Sequence, residues 1–150
     1  GMWNSKRSLI LSLFFTYLFL GVLLACLFFA PVILRWFVQQ YNRTQTTYYA
    51  LVAVFYIAVI PVGAALLCLL QLLRNVMKDQ PFARKNITYI RVISWCCFVV
   101  SVIFFVAAFF DLPVFVFIAV ITAFAGLILR VVKNVFASAV EIKAENELTV

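Results

Sequence analysis

The sequence predicts an all-α polytopic membrane protein: a four-helix transmembrane bundle whose last span continues as a helix into the cytoplasm. Three observations predict it. Hydrophobic residues make up 67% of 150 residues and the mean hydropathy is +1.15, which leaves too little polar surface to cover a soluble globule. The apolar residues run continuously in four stretches, each close to the roughly 20 residues that cross about 30 Å of hydrocarbon. The basic residues cluster between alternate stretches, as the positive-inside rule requires.

The spans are read at about 9–34, 48–73, 92–110 and 113–129, so one four-span membrane domain takes up nearly the whole chain. Lys6 and Arg7 precede the first apolar run in the manner of a signal peptide. That run is far longer than a roughly 7–15-residue signal core and lacks a small-residue cleavage site, so it is expected to be retained as a span. Gly1 before Met2 reads as a remnant of tag removal. The second span carries Pro61 and Gly63 at its middle, where a missing backbone donor beside a flexible residue produces a bend, fixed or hinged. Asp111-Leu112-Pro113 leaves almost no loop between spans three and four and forces an antiparallel hairpin. Pro113 suits the first helical position, and Asp111 suits a cap with Arg35 or Arg43 as its partner; proton or ion handling is the alternative. Small residues recur at intervals of four, in Gly21 with Ala25, Ala64 with Cys68, Ala119 with Ala123 and Thr122 with Gly126. Such pairs permit close helix approach in lipid.

The net charge of +7 is explained by topology. Ten of the 12 basic residues flank the ends assigned to the cytoplasm, and only Arg35 and Arg43 fall on the other side. Both termini and the central loop are therefore placed inside, in contact with anionic headgroups, and no charge is left over to indicate direct nucleic-acid binding. Trp3 and Trp95 near the inner boundary and Trp36, Tyr41, Tyr48 and Tyr49 near the outer one fit the aromatic belts. The 17 Phe residues read as packing and lipid-facing bulk. Cys26, Cys68, Cys96 and Cys97 lie in apolar surroundings without Cys-x-x-Cys spacing, and the chain has no histidine. No metal site, cofactor site or disulfide is expected. With no paired carboxylates, no nucleophile beside a base and no phosphate loop, an enzyme is not expected either.

The parts assigned to the cytoplasm hold more pattern. Pro81 stops the helix after span two, Phe82 is placed as a hydrophobic staple and Asn86 falls in the first turn of the next helix. The result is an elbow with Arg84, Lys85 and Arg91 at its surface. Beyond Arg130 the apolar residues keep helical spacing through Val140, so an amphipathic helix and acidic tail are expected over 130–150. Glu141, Glu145 and Glu147 lie within reach of the basic elbow and are, with Arg84, Lys85 and Arg91, the candidate partner-binding residues. Leu73-Arg74 with Lys78 weakly echoes Leu129-Arg130 with Lys133.

The Pro81-Phe82 run with Asn86, Ile90 and Arg91, the segment Gly126-Leu127-Ile128-Leu129-Arg130 and the closing segment from Ala139 to Val150 together resemble domain-of-unknown-function family 2975. These are small bacterial four-span membrane proteins, and the resemblance covers almost the full chain. Ala83 departs from the pattern, since a better helix cap often stands there, and this implies a looser elbow. Members are frequently encoded beside a Cro/C1-type helix-turn-helix regulator. The resemblance therefore implies a bacterial inner-membrane protein that senses or tethers a transcription regulator, and it supplies no catalytic residues. Two other readings stay open: a transporter of lipid or small hydrophobic solutes with a cavity beside Pro61, working as a monomer or a homo-oligomer, and a structural subunit of a larger membrane complex.

Overall fold

The structure, a computed structural model, describes residues 5–78, 83–109 and 113–148. Its elements are four helices, α1 (Ser5–Gln40), α2 (Gln45–Met77), α3 (Arg84–Ala108) and α4 (Phe115–Leu148). All four are long and apolar enough to cross a membrane, and the fold is the expected all-α four-span architecture. The helices outrun the expected spans because amphipathic ends continue the same backbone geometry into the headgroup region. At about 1.5 Å per residue, the 34 residues of α4 extend roughly 50 Å, about 20 Å more than the hydrocarbon.

Close backbone contact joins α1 to α2, α2 to α3 and α3 to α4 among the described residues. The bundle is thus a row of antiparallel neighbours with α1 at one edge and α4 at the other. On α1 the shielded positions follow alternating steps of three and four, through Leu13, Thr16, Leu20, Leu23, Leu27 and Ala30. This 3.5-residue period is the seam of a left-handed pair, and most positions between these stay exposed, Phe28 at 80%.

Local chemistry sets each corner. At the end of α1, Asn42 takes the left-handed conformation (φ 52°) that asparagine tolerates better than most residues. The Asn42 N–H then donates to Gln39 O at 3.4 Å and the Arg43 N–H to Val38 O at 2.9 Å, which closes the helix end. Thr44 caps α2 by accepting from the Thr47 N–H at 3.3 Å. Just beyond the turn, Val38, Tyr48 and Leu51 form a buried cluster to which Phe115 of α4 adds its ring.

Pro61 is buried inside α2, which continues through it. The sequence reading passed over Pro31, inside α1. A proline there leaves the Leu27 carbonyl without its helical donor, and the Tyr56 hydroxyl of α2 donates to that oxygen at 2.9 Å. The α3–α4 hairpin is registered by two hydroxyls one heptad apart on both helices. Ser94 Oγ donates to Gly126 O at 3.0 Å, and Ser101 Oγ donates to Ala119 O at 2.7 Å. Between the two serines Phe98 lies over Gly126, where an added Cβ would sit 3.0 Å from the ring.

The expected small-residue contacts divide. Ala119 and Gly126 are buried and bring α3 and α4 together. Gly21 is exposed with nothing within 4 Å of its Cβ position, because α1 has one neighbour and Gly21 faces away from it. Thr122 donates back to carbonyls of its own helix, Ile118 and Ala119. Gly63 meets Leu23 at an ordinary 3.8 Å. Pro113 lies in the turn before α4 rather than at its first residue, and its carbonyl accepts from the Val116 N–H at 3.1 Å. Asp111, Pro81, Phe82 and Trp3 lie outside the described residues.

Candidate functional site

The polar groups gather at the end of the row where α2 gives way to α3. Asn86 is in the first turn of α3, as its place in the sequence indicates, but its side chain does more than cap. Asn75 Nδ2, one turn from the end of α2, donates to Asn86 Oδ1 at 2.8 Å, with Asn86 fully buried (0% exposed) and Asn75 nearly so. Two amides that would each be costly to bury alone satisfy one another and clamp α2 to α3 across the elbow. Ala83 precedes α3 in extended conformation with no side-chain cap. The Asn86 N–H donates to the Ala83 carbonyl at 3.0 Å, so the asparagine clamp holds the elbow that the missing cap was expected to loosen.

Basic residues surround this clamp, held by aromatic groups. Arg74 Nη2 donates to the Tyr17 hydroxyl of α1 at 2.7 Å. The Arg130 guanidinium of α4 lies 5.1 Å from the ring centre of Trp95 on α3. With the asparagine pair, these contacts link all four helices, α1 to α2, α2 to α3 and α3 to α4, toward one end of the bundle. At the opposite end Arg35 lies 5.2 Å over Tyr48; the Asp111 partner expected for it falls outside the described residues.

Arg84, Lys85 and Arg91 are exposed on the first two turns of α3, and Glu141, Glu145 and Glu147 are exposed on the last two turns of α4. On the register of the α3–α4 hairpin the two sets stand at different levels. The serine contacts place position 126 opposite 94, and on that register Phe136 is level with Arg84. Glu141 lies about five residues, roughly 7 Å, further along the axis, and the other two glutamates lie beyond it. The last turns of α4 therefore project past α3 as an exposed helix with Ile142 (58%) and Leu148 (86%) among the acids.

A cavity of about 290 Å³ opens beside Pro61, lined by side chains such as Leu23, Leu51, Ala58, Val62, Phe104 and Phe115, all apolar. It exists because α1 packs on α2 alone, leaving a wedge between α1 and the α3–α4 hairpin. The four cysteines are free thiols. Among the described residues no three His, Cys, Asp or Glu side chains converge on a point where a metal could sit.

Comparison with known proteins matches these features to a family. The model of the family described as "Protein of unknown function (DUF2975)" matches residues 9–150. The uncharacterized membrane protein YoaS of Bacillus subtilis is 22% identical over 98% of this chain and 99% of its own length. No solved structure matches the chain.

Proposed function

The chain belongs to the DUF2975 family of four-span membrane proteins, and on that premise we propose that it is a non-enzymatic regulatory protein of the bacterial inner membrane whose elbow and α4 tail engage a cytoplasmic protein. One observation carries this reading: α4 runs unbroken through Leu148 and presents Ile142 and Leu148 beside Glu141, Glu145 and Glu147, roughly 20 Å past the hydrocarbon. Exposed apolar side chains set among acids on a projecting helix offer a recognition surface to a basic partner with an apolar groove. A helix-turn-helix regulator fits that chemistry. The basic face of Arg84, Lys85 and Arg91 stands one level up, available to anchor anionic headgroups or to receive the tail in a second state. Each exposed pair formed there would contribute about 0–1 kcal/mol, so a modest signal from the bundle suffices to shift the balance.

Two experiments test this reading. Cross-linking and affinity capture from native membranes, with and without residues 141–150, is expected to recover a cytoplasmic protein only from the full chain. Reversing Glu141, Glu145 and Glu147 to lysine is expected to abolish that capture while shifting bundle stability by less than about 1 kcal/mol. Unchanged capture by the triple variant sinks the role of the tail. The topology is checked separately. A reporter at Lys78 or at either terminus is expected inside and one at Thr46 outside, because ten of the 12 basic residues flank the first group. An inside signal at Thr46 reverses the assignment.

The apolar cavity beside Pro61 supports a second reading, the handling of lipid or a hydrophobic solute. Its lining has no polar side chain to guide a charged or hydrogen-bonding substrate, so any guest would be a hydrocarbon. Reconstituted vesicles that move a labelled phospholipid between leaflets only when the protein is present would favour this reading over regulation.

A further inference from the structure

We propose that the α1–α2 turn end of the protein binds one anionic phospholipid, with its phosphate on Arg35 and one acyl chain along the outer face of α1. The site goes beyond the regulatory reading and does not depend on it; only the leaflet follows from the topology proposed above.

A recess of about 400 Å³ lies where α1 meets α2, lined by Pro31, Val32, Arg35, Trp36, Gln39 and Tyr48. Its polar side chains are donors. The Arg35 guanidinium covers the Tyr48 ring face at 5.2 Å, an arrangement that holds the group while leaving its N–H edge open for a bidentate phosphate. The Trp36 indole N–H and the Gln39 amide add further donors within one turn. The glutamates among the described residues, Glu141, Glu145 and Glu147, all lie on the far end of α4. Among the described residues the recess thus carries positive charge only and several donors at the depth of the headgroups, which suits an anion and disfavours a headgroup that carries its own ammonium.

Charge alone would equally suit free phosphate, and the apolar half of the site decides for a lipid. Val32 also lines a second, wholly apolar groove of about 310 Å³ that runs down α1 past Phe29, Cys26, Ala25 and Val22. From Ile33 to Val22 is about 16 Å along the helix, close to the depth of one leaflet. A donor cradle joined through one shared residue to a leaflet-length apolar groove has the shape of a single phospholipid.

The test uses the purified full chain in detergent, with bound lipid counted by native mass spectrometry after adding dioleoyl phosphatidylglycerol or dioleoyl phosphatidylcholine. The native chain is expected to keep phosphatidylglycerol in preference, and Arg35→Gln to lower that retention about fivefold, to the level of phosphatidylcholine. Val32→Trp, which blocks the junction at an exposed position, is expected to lower retention with Arg35 intact. Arg43→Gln, in the turn at the same end of the protein but outside the recess, is expected to leave the preference unchanged, and all variants are checked for native helicity. Equal retention by Arg35→Gln would mean non-specific annular lipid and overturn the proposal. So would an equal loss in Arg43→Gln, displacement of the lipid by millimolar inorganic phosphate, or efficient α1-to-α1 cross-linking of a Val32→Cys variant in membranes, which would give this face to a second copy.

Discussion

Replacing Gly126 with leucine is expected to lower the stability of the protein in detergent by about 3 kcal/mol, through overpacking of the tightest contact between α3 and α4. The Cβ alone would sit 3.0, 3.1 and 3.2 Å from three atoms of the Phe98 ring, and the leucine branches would need the space that ring occupies. Phe98 has little freedom to withdraw, because it stands between Ser94 and Ser101, whose hydroxyls hold α3 to the Gly126 and Ala119 carbonyls. Separating the helices enough to admit leucine would stretch the Ser94 contact as well, at an added cost of about 0.6 kcal/mol. Thermal unfolding followed by circular dichroism reads the effect, and the control is specific. Phe98→Ala alone should destabilise by leaving a cavity, yet in the Gly126→Leu background the same change should restore stability, because the leucine fills the vacated space. An unchanged midpoint for Gly126→Leu, or a Phe98→Ala effect of the same sign in both backgrounds, would mean that the two helices do not approach so closely.

How much of this was legible in the sequence depends on which contacts are local. Four spans, their alternation and the helical run through the α4 tail follow from apolar length, charge placement and period, all properties of neighbouring residues. The same holds for the place of Asn86 at the start of α3 and for the small faces of Ala119 and Gly126. Gly21 with Ala25 has the same spacing but faces outward; whether a small pair is used depends on how many neighbours its helix has, which no span reveals about itself. Pro31 was passed over because its consequence lies on another helix: the freed Leu27 carbonyl matters once Tyr56 reaches it. Arg35 was matched by charge to Asp111, whereas its contact among the described residues is the Tyr48 ring. In a chain with 5 acidic residues against 12 basic ones, aromatic faces and hydroxyls are far more available than carboxylates, and Arg74 and Arg130 use them too. The clamp between Asn75 and Asn86 was the least legible feature, since these residues meet only when the chain doubles back at the elbow.

That clamp leads to the second large effect. Asn86→Leu is expected to destabilise the protein by about 2 kcal/mol, even though leucine is the more lipophilic residue and is close to asparagine in size. The loss comes from the partner: Asn75 is only 7% exposed, and with Asn86 Oδ1 gone its amide is left buried with a donor unmet. Asn75→Leu is expected to cost a similar amount for the reciprocal reason. The double variant removes both amides together, so its total cost should fall well short of the sum, with a coupling of about 1–2 kcal/mol in a double-mutant cycle. Additive losses would show that the two side chains do not depend on each other and would leave the elbow without its lock. The clamp also joins the two hairpins at the end from which α4 projects, so the regulatory reading makes a further demand on the same variants. In the double variant, compared at a temperature where the bundle remains folded, capture of the cytoplasmic partner by the α4 tail should change, because the basic first turn of α3 is no longer held at a fixed angle to α2. Capture that stays at the native level in a folded double variant would separate the elbow from signalling and leave partner binding to the tail alone.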